Sequence, residues 1–186
     1  MEKLLTLVNT ETERRLCTRR KNVDIFLLPL IRKLHVVAEM EDNIHHLRID
    51  MIVNQTSLRI TAITCDMPSV PDQICQQACD NFDHLIGQRV VPGLARRIKQ
   101  KATVGCTHLS NLFHDACYNL ILAQGVVTEE NLIAEYPGIS ESQIYNIFMR
   151  FRPELRNSCI RYANTSPFME IVDSASLPEN FPKSLK

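Results

Sequence analysis

Cys106 and His108 lie one residue apart in the segment 105–109 and are residue types that bind metal ions. In the middle of a helix, residues two apart point about 200° away from each other and could not share a ligand. If Thr107 is the N-cap of a helix, both side chains can turn toward one point, and the positive helix end favours the reactive thiolate. On spacing alone, the alternative is a structural cysteine beside a surface histidine.

Two further segments carry residues of the same kind. His45 and His46 follow the acidic turn 41–43, and neighbouring strand residues point to opposite faces, so one of them serves an interior site. The alternation of the strand selects His45, whose imidazole Asp42 or Glu41 could orient by a hydrogen bond or join as a ligand. Cys75 lies early in a predicted helix. The predicted metal ligands are Cys106, His108, Cys75, His45, His46 and Asp42.

The seven cysteines are an odd number, which argues against a disulfide framework. Cys79 lies one helical turn after Cys75, and such a pair is more often packing than chemistry. Cys65 ends a predicted strand and could face the same region. The other three, Cys17, Cys117 and Cys159, have no histidine or acid at ligand spacing and are interpreted as core or surface thiols.

The hydrophobic pattern predicts an α+β fold. Apolar residues alternate from 34 to 40, from 45 to 53 and from 58 to 62, with short polar turns between these runs. This period is that of half-buried strands, so we expect an antiparallel β-meander of three or more strands in the N-terminal half. Residues 4–8 and 11–21 are predicted to add a strand pair.

After residue 66 the period becomes helical. The sequence predicts a bundle of about five helices packed on one face of the sheet, at about 69–87, 92–100, 105–125, 128–137 and 140–152. The predicted organisation is a single domain over 1–164, with the sheet at about 1–66 and the helices at about 69–152. Residues 165–186 contain prolines and little periodicity, so we expect an extended or disordered tail.

Charge and hydropathy limit the classes of partner that this protein could bind. Lys plus Arg and Asp plus Glu both number 21, so the chain has no net field that would attract nucleic acid or anionic lipid. There is no apolar run of the roughly 18 residues that span a bilayer, and no cleavable signal follows Met1. The sequence thus predicts a cytoplasmic protein with no nucleic acid and no membrane partner. Helices in 126–164 could form a homodimer face, and no small-molecule substrate is identified.

The order of these residues resembles the bacterial domain-of-unknown-function family 2889 (DUF2889). The resemblance runs from about residue 34 to residue 112 and rests on Asp42, the His45–His46 pair, Cys75, the turn 85–87 and Cys-Thr-His-Leu at 106–109. Gln and Ile precede Cys75, where the family has a Pro-rich lead. The resemblance implies that the His and Cys residues act as a set, but it implies no activity. The layout is also loosely similar to NifU-type iron–sulfur scaffolds.

These observations favour a metal-binding domain with a mixed His/Cys site for zinc or iron, or for an iron–sulfur cluster. One alternative is a metal-free cysteine-dependent enzyme or small-molecule-binding domain, which would use the same thiols. Another is a protein-interaction module with structural thiols. The sequence contains no glycine-rich phosphate loop and no G-x-S-x-G or H-E-x-x-H motif.

Overall fold

The structure is a computed structural model that describes residues 14–91, 94 and 105–182. The chain divides into two compact units, 1–124 and 125–186. This division differs from the predicted single domain, whose boundary was placed at residue 164. The strand predicted at 4–8 lies outside the described residues, as does most of the helix predicted at 92–100.

The first unit is built on a four-stranded antiparallel sheet with the strands in chain order. Its strands are β1 (Arg20–Leu28), β2 (Lys33–Glu41), β3 (His46–Asn54) and β4 (Ile60–Ser69), and a 3₁₀ turn, Pro29–Ile31, joins the first two. The predicted α+β class and the meander of three or more strands are confirmed. Of the segment 11–21, which was predicted to form a strand, only residues 20 and 21 among those described belong to the sheet, because β1 begins at Arg20.

Alternation places one face of β2 and β3 in the core. Every second residue of these strands is almost completely buried, while the residues between them are partly exposed. The buried residues are Leu34, Val36, Ala38, Met40, Leu47, Ile49, Met51 and Val53. Since the side-chain period of a strand is two, the sequence pattern alone predicted this face correctly.

The fourth strand does not follow the predicted alternation. Its buried residues are Ile60, Ile63 and Met67, whereas Ala62 is exposed. The pairing of β3 with β4 shifts register between Ile52 and Val53. An irregularity of this kind changes which residues face the core, which a strict period of two cannot anticipate.

A long 3₁₀ segment, Gln73–Leu85, replaces the first predicted α-helix. The Asp72 side chain caps it by accepting a hydrogen bond from the Ile74 amide. In a 3₁₀ helix residues three apart lie above one another, so Cys79, Phe82 and Leu85 share an edge that packs on the core. Ile74 lies off this edge and is 66% exposed.

A disulfide joins Cys65 of β4 to Cys79 of the 3₁₀ segment, with the two Cα atoms 5.2 Å apart. The odd cysteine count had argued against disulfides, and that expectation is wrong for this pair. The sequence offers no signal for the pairing, because the two cysteines meet only after the chain folds back over the sheet. The bond ties the segment that carries Cys75 to the edge strand.

The described α-helices are α1 (Thr107–Glu135), α2 (Glu141–Phe151) and α3 (Pro167–Ser174). The residues that the structure describes therefore hold fewer helices than the predicted bundle of about five. The two helices predicted at 105–125 and 128–137 are one, because the backbone stays helical through Gly125. The expected extended tail is also wrong for α3, which Ser166 caps by accepting a hydrogen bond from the Met169 amide.

Helix α1 covers the sheet through its N-terminal half. Leu109, Leu112, Phe113, Ala116 and Leu120 recur at helical spacing and are buried in the same cluster as the core face of β2 and β3. The first turn of α1 is thereby held against the start of β3. No helix among the described residues is both long and apolar enough to span a membrane.

Removing the Cys65–Cys79 disulfide should destabilise the fold. The bond spans a sequence separation of 14 residues, and closing a loop of that size stabilises by about 3 kcal/mol. We expect the double variant Cys65→Ala, Cys79→Ala to lose about this much free energy of unfolding in a urea titration under oxidising conditions. Cys159→Ala, at an exposed free thiol, is the matched control. An unchanged wild-type midpoint after addition of dithiothreitol would contradict the disulfide.

Candidate functional site

An aspartate-capped turn places the first histidine. The Asp42 carboxylate oxygen Oδ1 accepts hydrogen bonds from the backbone amides of Ile44 and His45, at 2.9 Å and 2.8 Å. The Asp42 amide in turn donates to the His45 carbonyl, at 2.8 Å. A short acidic side chain at the start of such a turn satisfies amides that the strands leave unpaired. His45 is fixed at the entrance to β3 by these bonds.

Asp42 also sets the tautomer of the neutral His45 ring. His45 Nδ1 lies 3.1 Å from Asp42 Oδ1, and the aspartate side chain is only 4% exposed. Because an ionised carboxylate only accepts, Nδ1 carries a proton in this contact, and in the neutral ring the lone pair is then on Nε2. The second nitrogen of His45 is thus free to bind a metal or a proton.

Arg19, just before β1, provides further hydrogen bonds to Asp42. Its Nε and Nη2 atoms donate to Asp42 Oδ2, at 2.9 Å and 2.6 Å. The amides of Ile44 and His45 contribute most to holding the pKa of Asp42 well below its usual range, and the Arg19 guanidinium adds to them. Asp42 is therefore ionised throughout the physiological range.

The start of α1 supplies the cysteine and the second histidine. The Ser110 amide donates to the Cys106 carbonyl at 3.0 Å, and α1 begins at Thr107. Cys106 is consequently the N-cap, one residue earlier than the predicted cap at Thr107. Cys106 Sγ lies 3.7 Å from His108 Nδ1, so the two side chains do turn toward one another.

Arg19 also determines the tautomer of His108. Its Nη2 atom lies 3.2 Å from His108 Nε2, and a guanidinium can only donate. His108 Nε2 is then the acceptor, so the ring proton resides on Nδ1 and points toward the Cys106 sulfur. Burial lowers the pKa of His108, and the neighbouring His45 ring and Arg19 guanidinium add to this shift. The imidazole is neutral at pH 7.

His45, Cys106 and His108 line one cavity of about 360 Å³. The two histidine rings lie side by side, with centroids 4.3 Å apart. Cys75 reaches the cavity from the first turn of the 3₁₀ segment, where its amide donates to the Asp72 carbonyl at 3.0 Å. The lining residues are His45, Ile74, Cys75, Gln77, Ala78, Gly105, Cys106 and His108.

The structure thus places four of the six predicted ligands around the cavity and two outside its lining. His45, Cys75, Cys106 and His108 line the cavity, and Asp42 lies behind His45. His46 does not line it, because it is already part of β3 and is paired with Glu41 and Ser69. Within the part of the chain that the structure describes, no three His, Cys, Asp or Glu side chains are close enough to hold one metal ion.

Sequence reasoning missed Arg19. It lies in the basic run 19–21, and its two partners lie 23 and 89 residues away in the chain. Among the other thiols, burial raises the pKa of Cys117 to about 12, which makes it unreactive, and Cys17 and Cys159 are exposed. These three have the core and surface positions predicted for them.

Replacing the Asp42 carboxylate by an amide should weaken the fold in a pH-dependent way. Because folding lowers the pKa of Asp42, its ionised form stabilises the protein fully above the ordinary value of about 4, and this contribution is lost as the pH falls below it. We expect Asp42→Asn, which keeps the Oδ1 acceptor, to have a lower urea midpoint than the wild type at pH 7. The difference should shrink toward pH 3. Asp66→Asn, on the exposed face of β4, should show no such trend.

The protonation state of His108 can be observed by nitrogen-15 NMR of the imidazole rings. We expect the Nδ1–H tautomer at pH 7 and a midpoint below the ordinary histidine pKa of about 6.5. Arg19→Gln removes a nearby positive charge and should raise that midpoint, whereas Arg20→Gln, at an exposed position on β1, should not. An Nε2–H tautomer in the wild type would disprove the role assigned to Arg19.

Comparison with known proteins identifies the domain that carries this site. Residues 28–119 match the family model described as protein of unknown function (DUF2889). The match contains the sheet from the end of β1, the cavity and the buried half of α1. The chain matches no curated protein and no solved structure. The bacterial source and the likeness to NifU-type scaffolds therefore stay predictions. By its match over 28–119, this part of the chain belongs to the DUF2889 family.

Proposed function

We propose that the cavity binds a soft divalent metal ion, zinc or ferrous iron, with Cys106 as the central ligand. The observation that carries the proposal is the distance of 3.7 Å between Cys106 Sγ and His108 Nδ1. Two ligands on a tetrahedral zinc ion, with Zn–S near 2.3 Å and Zn–N near 2.0 Å, stand about 3.6 Å apart. The pair therefore already has the separation of one edge of a metal tetrahedron.

The chemistry of the surrounding donors fits such an ion. Cys75 would supply a second thiolate, and His45 an imidazole through its free Nε2 atom. The contact from Asp42 to His45 Nδ1 is the carboxylate–histidine arrangement that orients metal-bound imidazoles. Two thiolates and two imidazoles are a ligand set that zinc, iron and some iron–sulfur clusters accept.

Binding requires small side-chain movements. Since no three donors among the described residues surround one point, the ion would draw Cys75 and His45 toward the Cys106–His108 pair. His108 would also have to move its proton from Nδ1 to Nε2, which the Arg19 guanidinium opposes. Arg19 can release His108 while keeping Asp42 through its Nε atom, at 2.9 Å. Arg19 therefore competes with the metal for the histidine.

Metal content after purification without oxygen tests the proposal. We expect about one equivalent of zinc or iron in the wild type, strong loss in Cys106→Ser and in Cys75→Ser, and unchanged content in Cys159→Ser. Visible charge-transfer bands would indicate iron or a cluster. Bound metal should decrease as the pH falls, because protons compete for the thiolates. Absence of metal from every preparation, with the variants folded by circular dichroism, would contradict the proposal.

One observation favours a second candidate, metal-free thiol chemistry at Cys106. A His108 Nδ1–H group directed at the sulfur, with a guanidinium behind the ring, would stabilise a nucleophilic thiolate. This candidate would be supported if the metal-free protein reacted with iodoacetamide at Cys106 faster than at the exposed Cys17 and Cys159. If Cys106 bound no metal and reacted no faster than these thiols, an interaction module with structural cysteines would be favoured.

A further inference from the structure

The end of the sheet opposite the candidate site exposes a group of apolar side chains. The connection between β1 and β2 is the 3₁₀ turn Pro29–Ile31, where most proteins place polar turn residues. Leu30 is 98% exposed and Ile31 is 58% exposed, and Phe26 and Leu27 beside them are also exposed. We call the segment 26–33 the apolar tip.

The backbone holds the apolar tip in a fixed shape. Arg32 adopts the left-handed conformation, with φ of 50°, and its amide donates to the Pro29 carbonyl at 3.3 Å. The Gln55 amide, in the turn between β3 and β4, donates to the Arg32 carbonyl at 3.0 Å. The neighbouring turn thus braces the tip, so Leu30 and Ile31 are held outward from the sheet.

Positive charge borders the exposed aliphatic residues of the apolar tip. Arg32 and Lys33 are its last two residues, and Arg59 lies at the same end of the sheet, just before β4 begins. Arg89 joins this row because it forms an antiparallel bridge with Arg59. The segments 26–35, 52–62 and 85–91 contain no aspartate or glutamate. None of these four cations forms an ion pair with a residue that the structure describes.

The Arg59–Arg89 pairing makes the absence of acids informative. Like charges directly opposite each other on paired strands are destabilising. The Arg59 guanidinium donates to the Gly87 carbonyl at 2.8 Å, which orients the side chain without neutralising it. An anionic partner at this end would relieve the repulsion and complement Arg32 and Lys33 as well.

From this combination we infer that the apolar tip docks on an anionic lipid bilayer. Aliphatic side chains such as Leu30 and Ile31 enter the boundary between headgroups and acyl chains, while basic residues beside them bind anionic headgroups. Nucleic acid fits less well, because base stacking uses aromatic side chains and Phe26 alone supplies one here. The balanced net charge predicted no membrane partner, but the fold collects cations at one end of the sheet.

Docking in this way leaves the candidate site accessible. Strand β2 has nine residues and begins at the apolar tip, and it ends beside Asp42. At about 3.3 Å per residue, the cavity lies about 30 Å from the lipid-facing end. The inference does not depend on metal binding, since none of the cavity residues belongs to the tip.

Vesicle binding tests the inference in the full chain. With vesicles of phosphatidylcholine containing about 30% phosphatidylserine, we expect co-sedimentation at low salt that weakens as salt is added, and little binding to pure phosphatidylcholine. Leu30→Ser combined with Ile31→Ser should lower the partition coefficient about tenfold. Arg59→Gln combined with Arg89→Gln should lower it about tenfold on the anionic vesicles alone. Ile160→Ser, at a site 92% exposed in the second unit, should bind like the wild type.

A single tryptophan reports insertion directly, because the chain has none. We expect the emission of Leu30→Trp to shift to shorter wavelength with anionic vesicles, and that of Ile160→Trp to stay unchanged. Wild-type protein that does not bind anionic vesicles, or a serine variant that binds as well as the wild type, would overturn the inference. So would a dimer in sedimentation equilibrium that the serine variant abolishes while neither protein binds vesicles, because a second copy would then cover the tip.

Discussion

The candidate site depends on the hydrogen bonds of the Asp42 carboxylate. Its two oxygens accept hydrogen bonds from the amides of the turn, the imidazole of His45 and the guanidinium of Arg19. Because Arg19 also reaches His108, this carboxylate links the sheet to the first turn of α1. A buried anion is costly to leave unpaired, so Asp42 holds together two distant parts of the chain, the turn 42–45 and Arg19.

The cavity needs a second constraint, which comes from the 3₁₀ segment. A 3₁₀ run of 13 residues is unusual, since such helices are normally short. Here the Asp72 cap holds its start, the disulfide to β4 holds its middle, and buried Leu85 holds its end. Cys75 faces the histidines because its segment is fixed at both sides of it. The position of Cys75 in the site therefore depends on how the 3₁₀ segment packs on the edge strand β4.

The sheet gives its two ends different properties. At one end, acidic and imidazole groups are paired with each other around the cavity. At the other end, exposed aliphatic residues lie beside cations that form no ion pair with any described residue. Charged groups on the exposed face between them are satisfied locally, as Arg48 is by Glu39 and Asp50. The net charge of the whole chain conceals this segregation, because strands that run antiparallel bring distant residues to the same end.

Period and residue type determined much of this protein from sequence alone. The alternation in 34–40 and 45–53 gave the correct core face, and the types and order of Cys75, Cys106, His108 and His45 identified side chains that line one cavity. These features are local, so short-range pattern suffices to detect them. Tertiary structure decided five further features. They are the role of Arg19, the Cys65–Cys79 disulfide, the register shift of β4, the continuity of α1 through Gly125 and the position of His46 outside the cavity. Each of these depends on which distant groups meet after folding, and a hydrogen-bond partner 89 residues away leaves no periodic signal in the sequence.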